Sequence, residues 1–303
     1  QGVSSAASDV YKRQAIASPM LDDGSIDFSA LERLIDFQID NGISAIVAIG
    51  TTGESATINF SEHVDLIKYF VNYVDGRIPL IAGTGANSTQ EALELTIAAK
   101  QVGADAALLV SPYYNKPSQE GLFQHYSKIA DEVNIPQILY NVPSRTASFM
   151  ESKTVSRLSS HPNIIGHKDA TGDLEVLSDL KRLCDNEISK NNFCLYSGDD
   201  ATSYQFMKRG GHGTISVSSN IIPKLISNMA SCAINDNDEE GNSINQRVTE
   251  INRILFLESN PIPVKYALYL MGFIQLGIRL PLTILDKKFH KELKNELKQL
   301  DLI

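Results

Sequence analysis

The sequence predicts a (β/α)8 barrel followed by a helical C-terminal region. Eight short apolar runs rich in Val, Ile, Leu and Ala recur before residue 220, each ending in a polar loop. Amphipathic segments lie between them. The runs lack clean apolar–polar alternation, as parallel strands do when helices cover the sheet's outer face. Eight such repeats close most simply as a barrel. The alternative is a doubly wound open sheet, but no Gly-x-Gly-x-x-Gly fingerprint follows the first run.

In chain order, the predicted strands are AIAS (15–18), SAIVAIG (44–50), PLIAGT (79–84), AALLVS (106–111), PQILY (136–140), IIGHK (164–168), FCLYS (193–197) and GTISV (213–217). The first intervening helix is FSALERLIDFQIDNG, with Leu31, Leu34, Ile35 and Phe37 on one side and Asn41-Gly42 as its stop. After Ile221 the strand signals end. IIPKLISNMASCAI, the segment around EEGNSINQRVTEINRILFL, IPVKYALYLMGF and HKELKNELKQL all read as helices. The organisation expected is therefore a barrel over 15–220 and a helical appendix over 221–303. Residues 1–14 are set apart as a leader, of which Val10 to Gln14 can still continue the first strand, because backbone pairing tolerates foreign side chains better than a core does. SSAASDVYKRQ has no hydrophobic period and resembles a translated sequencing-library adaptor rather than a signal or transit segment.

The chain has 303 residues, is 43% hydrophobic and carries a net charge of -9, which suits one large core. An acidic chain is a poor fit to nucleic acid or to an anionic membrane surface. No apolar run is long enough to span a bilayer. Cys184, Cys194 and Cys232 lack the close pairing of a zinc site and read as buried residues of a reducing, cytoplasmic compartment.

In a barrel, chemistry collects at the C-terminal ends of the strands. GTTGES (50–55), GTGAN (83–87), SPYYN (111–115), YNVPSRT (140–146), KDATGD (168–173), SGDD (197–200) and SVSSN (216–220) all fall there. Each alone has a plain reading as cap or turn: Thr51 and Thr52 as helix caps, Asp199 and Asp200 as helix-start carboxylates. Lys168 resists such a reading, because an ammonium at the end of an apolar strand is costly to bury. If Lys168 points into the barrel, His167 points out and is a packed core histidine. An inward lysine in a confined site has a lowered pKa, and its neutral amine attacks a ketone to form a Schiff base. That is aldolase chemistry with no metal or other cofactor. It needs a proton carrier, for which Tyr140 is placed, and a carboxylate anchor, for which Thr51 and Thr52 serve.

The blocks GTTGESATIN, IAGTGAN, PYYNKPSQEG, QILYNVPSRT, SGDD and NPIPVKYA resemble the dihydrodipicolinate synthase family, of the N-acetylneuraminate lyase superfamily of class I aldolases. The resemblance runs from Ala15 to the C-terminus. It implies a lyase that condenses pyruvate with L-aspartate 4-semialdehyde on the path to diaminopimelate and lysine. It places the Schiff-base lysine on Lys168, the proton-transferring tyrosine on Tyr140, the relay threonine on Thr51 and a second tyrosine on Tyr114. Thr52 and the backbone of Ile215 match the positions that hold pyruvate. Arg145 matches the guanidinium that receives the second substrate's carboxylate, which speaks against a sugar-acid lyase. The intact relay speaks against a non-catalytic keto-acid sensor.

The resemblance also implies a homo-oligomer, a dimer of dimers, in which the tyrosine at Tyr114 completes the neighbouring subunit's relay. A feedback site for L-lysine is matched by Ser55, Ala56, His63, Asn87, Glu91 and Tyr113. Two departures stand out. His167 replaces an aliphatic residue, and Phe60 stands where some lysine-inhibited members carry histidine, which weakens the feedback reading.

Overall fold

The structure is a computed structural model that describes residues 12–303. Eight parallel strands close in sequence order into a barrel. They are β1 (Lys12–Ala15), β2 (Ala45–Ala48), β3 (Leu80–Gly83), β4 (Ala106–Val110), β5 (Gln137–Asn141), β6 (Ile164–Asp169), β7 (Cys194–Ser197) and β8 (Gly213–Ser216). Side chains alternate between two cores. Val47, Ile81, Leu108, Ile138, Tyr196 and Ile215 pack inside the barrel. Ile46, Leu80, Leu109, Leu139 and Leu195 pack outward against the helices.

The helical ring follows the expected pattern. Helix Phe28–Asp40 buries Ala30, Leu31, Leu34, Ile35 and Gln38, while Phe37 is only half-buried. Gly42, just past its end, has φ 82°, a left-handed conformation that glycine adopts without a Cβ clash. Helix starts are fixed by side-chain caps: Asp27 accepts from the Ala30 N–H, Asn59 from Glu62, Ser88 from Glu91 and Ser118 from Gly121.

Two boundaries differ from the sequence expectation. The first strand is Lys12–Ala15 rather than 15–18, so three residues assigned to the leader complete the barrel. Arg13 pairs with Ala45 on β2 and Ile215 on β8, because ladder hydrogen bonds need only backbone groups. The side chains fit less well. Arg13 is buried inside the barrel with its guanidinium 4.1 Å from the Tyr196 ring, and its Nε has no partner. Gln14 is fully buried with neither amide atom hydrogen-bonded. The rest of the proposed leader, residues 1–11, lies outside the described residues, as does the expectation that residues 1–10 pack poorly. The second difference is helix Pro223–Ile234. It packs on β1 and β8, and Ser227 donates to the Gly42 carbonyl. It is the eighth helix of the ring, so the barrel extends past residue 220. Helices Asp238–Ile254, Ile262–Leu270 and Lys287–Gln299 follow. No helix among the described residues is long and apolar enough to cross a membrane.

Candidate active site

Lys168 pairs in register with Tyr140 on β5 and Tyr196 on β7, both inward-facing, so it points into the barrel. His167 pairs with Leu139 and Leu195 of the outer core and is buried there, as alternation predicts. Its Nε2 lies 3.8 Å from Asp169 Oδ1, too far for a hydrogen bond. Asp169 is held instead by Thr171, whose hydroxyl donates at 2.5 Å, and by the Asn141 amide.

Lys168 is 4% exposed, and its Nζ sits 4.1 Å from the centre of the Tyr140 ring. Burial lowers the amine's pKa to about 7; the Asp200 carboxylate opposes that shift and the Arg145 guanidinium adds to it. Burial pushes the Tyr140 phenol up, opposed by the Arg145 charge and by a hydrogen bond with Thr51. Lysine, tyrosine and threonine therefore converge.

They line a cavity of about 290 Å3 at the C-terminal ends of the strands, with Thr52, Arg145 and Asn260 also on its wall. A cavity of about 350 Å3 opens at the other end, beside Pro136, Ile165 and Cys194, where barrels do not build catalytic sites.

The turn carrying the threonines is under strain. Ile49 has φ 54°, rare for a β-branched residue and worth roughly 1–3 kcal/mol. The turn is pinned by Gly53 and Ser55 N–H groups donating to the Gly50 carbonyl, and by Ser18 donating to the Gly53 carbonyl. The Thr52 hydroxyl accepts from the Asn260 amide at 3.0 Å. Arg145 is exposed at the cavity mouth and donates to the Asn260 backbone carbonyl at 3.0 Å. Ile215 is buried inside the barrel on β8.

Not every expected residue joins this cluster. Tyr114 is 90% exposed, has φ 73°, and does not line the cavity of its own chain. Tyr113, Ser55 and Ala56 line a neighbouring cavity of about 350 Å3. Burial and the Glu91 charge raise the Tyr113 pKa, and Asn87 hydrogen-bonds it through its backbone. Ser55, Ala56, Asn87, Glu91 and Tyr113 thus gather. His63, also matched to the feedback site, does not line that cavity; it is buried, bonded through Nε2 to the Gly83 carbonyl at 2.8 Å. Phe60 is exposed at the start of the same helix.

Three residues escape sequence reasoning as site components. Asn260 was legible only as part of a motif. Asp200 is no plain helix-start carboxylate: it is buried, and its Oδ2 accepts from the Val217 and Ser218 N–H groups. Asp199 does cap, accepting from Thr202. Gly198 leaves the space through which Lys168 runs, since a Cβ there would lie 2.7 Å from Lys168 Cε.

A near-neutral lysine amine, a phenol–hydroxyl pair beside it and a guanidinium at the mouth of a closed barrel define a Schiff-base-forming lyase. The dihydrodipicolinate synthetase family model matches residues 12–300, and the chain belongs to that family. It is 52% identical to the 4-hydroxy-tetrahydrodipicolinate synthase of Pseudomonas savastanoi pv. phaseolicola over 94% of this chain and 96% of that one. The chloride-inhibited dihydrodipicolinate synthase of Acinetobacter baumannii, complexed with pyruvate, superposes with a TM-score of 0.93. It is 48% identical, over 97% of this chain and 99% of that one. The enzyme of Cyanidioschyzon merolae with lysine bound superposes with a TM-score of 0.91 at 36% identity, over 97% and 98%. The activity is accordingly that of a carbon–oxygen lyase, the 4-hydroxy-tetrahydrodipicolinate synthase reaction.

Proposed function

We propose that Lys168 is the covalent catalyst of this reaction, joining pyruvate to L-aspartate 4-semialdehyde. The neutral amine attacks pyruvate C2, and loss of water leaves a protonated Schiff base. That iminium withdraws electrons, so the C3 methyl releases a proton and an enamine forms. The enamine carbon attacks the aldehyde carbon, making one C–C bond while the aldehyde oxygen takes up a proton. Tyr140, tuned by Thr51, carries these protons. The substrate's own amine then replaces Lys168 on C2, which closes a ring and frees the lysine. Thr52 and the Ile215 backbone hold pyruvate, and Arg145 receives the semialdehyde's carboxylate by charge-assisted hydrogen bonds.

The observation that carries this reading is the Lys168–Tyr140 register inside the barrel, with the amine 4.1 Å from the ring. Borohydride reduction in the presence of pyruvate, read by peptide mass spectrometry, tests it. The adduct is expected on Lys168; an adduct on Lys265 would sink the assignment.

Tyr114 acts on a second copy of the chain in this reading. Its exposure and left-handed backbone favour a residue held out toward a partner, which makes a two-fold dimer the smallest active unit and a dimer of dimers the expected assembly. L-lysine is a fitting ligand for the neighbouring cavity, where Glu91 faces Tyr113. Phe60, exposed at the start of helix Phe60–Val74, stands where some lysine-inhibited members carry an imidazole, which makes that inhibition weak. The cytoplasm is the expected location, in keeping with a biosynthetic lyase.

A further inference from the structure

Asn260 touches both carboxylate anchors and has a role in neither of the roles assigned so far. It is 4% exposed and lines the cavity. Its side-chain Nδ2 donates to Thr52 Oγ1 at 3.0 Å, across 208 residues of sequence. Its backbone carbonyl accepts from Arg145 at 3.0 Å. Its Oδ1 is buried without a partner. A buried amide with an unmet acceptor is a cost that packing alone does not explain.

The direction of the Thr52 bond supplies an explanation. A hydroxyl has one proton and two lone pairs. With one lone pair taken by Asn260 Nδ2, the Thr52 proton is left to point elsewhere, into the cavity. We infer that Asn260 is a positioning residue for the keto acid: it fixes the Thr52 hydroxyl as a donor to the substrate carboxylate, while its backbone sets Arg145 for the second substrate. The side chain therefore serves the first substrate and the backbone the second. The geometry is braced close by, since Lys265 forms a buried ion pair with Glu54, two residues beyond Thr52. This inference rests on the reading that Thr52 holds the pyruvate carboxylate.

The test separates the two. Pyruvate saturation is measured by borohydride trapping on Lys168, and semialdehyde saturation by turnover. The variants are Thr52→Val, Asn260→Asp, Asn260→Ala and Asn260→Ala/Thr52→Val. Asn260→Asp keeps the shape but turns the donor into an acceptor, which draws the Thr52 proton away from the substrate. It is expected to raise the pyruvate half-saturation constant roughly tenfold or more, the loss of one charge-assisted hydrogen bond. The semialdehyde constant should stay within about twofold, because the backbone carbonyl is unchanged. Asn260→Ala should weaken pyruvate in the Thr52 background and add nothing in the Thr52→Val background, a coupling that general loosening would not produce. That cycle decides the matter if Asn260→Asp fails to fold. If Thr52→Val weakens pyruvate while the Asn260 variants do not, Asn260 is a packing residue and the inference fails alone. Equal damage to both constants overturns it as well. If Thr52→Val leaves pyruvate saturation unchanged, the inference and the Thr52 reading fall together.

Discussion

Gly198→Ala should test the path that Lys168 takes into this site. Gly198 has no positive φ, so an alanine backbone fits there without strain. The glycine is required by space. An added Cβ would lie 2.7 Å from Lys168 Cε, 3.1 Å from Lys168 Cγ and 2.9 Å from Ala170 Cβ. Carbon atoms pack at about 3.5–4.0 Å, so the lysine must retreat by about 0.8 Å or more. Stability suffers too, because the lysine end can swing aside but Ala170 Cβ, 2.9 Å away, is fixed to its backbone. For catalysis the retreat is large, because the lysine end is the nucleophile. A misplacement of about 1 Å at a reacting group costs on the order of 100-fold. Gly198→Ala is therefore expected to lower the rate of pyruvate trapping by the folded protein about 10- to 100-fold, with overpacking costing roughly 1–3 kcal/mol in urea unfolding. Gly121→Ala, where a new Cβ meets nothing closer than 3.4 Å, controls for the extra methyl. Trapping by Gly198→Ala within about twofold of the parent would refute the reasoning, since the Lys168 path would then have slack that the geometry denies.

Arg145→Ala should raise the semialdehyde constant by roughly tenfold or more while pyruvate trapping survives; equal damage to both would count against its role at the mouth. The trapping rate should climb with pH up to about 7 and level off above it, because the neutral amine is the nucleophile and burial holds its pKa there. Asp200→Asn removes a charge that raises that pKa, so the midpoint should move to lower pH; a midpoint near an ordinary lysine's would contradict the burial argument. Gln14→Val removes two buried unpaired polar atoms and should stabilise the fold by roughly 1–3 kcal/mol in urea unfolding, whereas a lower midpoint would show that the amide has a partner. Mixing Tyr114→Phe with Lys168→Ala subunits should restore activity once chains exchange; no recovery after proven exchange would mean that Tyr114 does not act on its neighbour.

The cluster of Lys168, Tyr140 and Thr51 was legible because it is built from local signals. A lysine ending an apolar run needs no alignment to look anomalous, and the two-residue strand period then fixes which of His167 and Lys168 faces inward. Strand positions followed from apolar runs, and the end of the first helix from Asn41-Gly42. Long-range pairing was not legible. Nothing near Asn260 in sequence points to Thr52, and nothing near Gly198 says that a lysine passes over it. The side chains of Lys12–Gln14 read as leader, yet these residues continue the first strand as backbone pairing allows, since the ladder accepts any residue with an N–H and a carbonyl.

The C-terminal region is more than an appendix to this site. Its first contact is Asn252, which donates to the Asp200 carbonyl and accepts from Ser218 next to β8. Next comes Asn260, with its bonds to Thr52 and Arg145. Lys265 then pairs with Glu54 where both side chains are buried, and burial lowers the Lys265 pKa against the pull of that carboxylate. Arg279 donates through its backbone N–H to Glu54 and through its guanidinium to Glu62 and the Gly24 carbonyl. A buried pair broken on one side costs roughly 3–5 kcal/mol, so the Glu54–Lys265 contact is a poor way to gain stability over an apolar pair. It is a good way to fix one segment against another in a single register. The threonine turn after β2 carries strain at Ile49, and strand pairing stops before it at Ala48. The C-terminal helices hold that turn from the outside, at Thr52 and at Glu54, and the same segment holds Arg145 across the cavity. The spacing of Thr52 and Arg145 is therefore set by residues 260–265, which lie outside the eight-stranded frame.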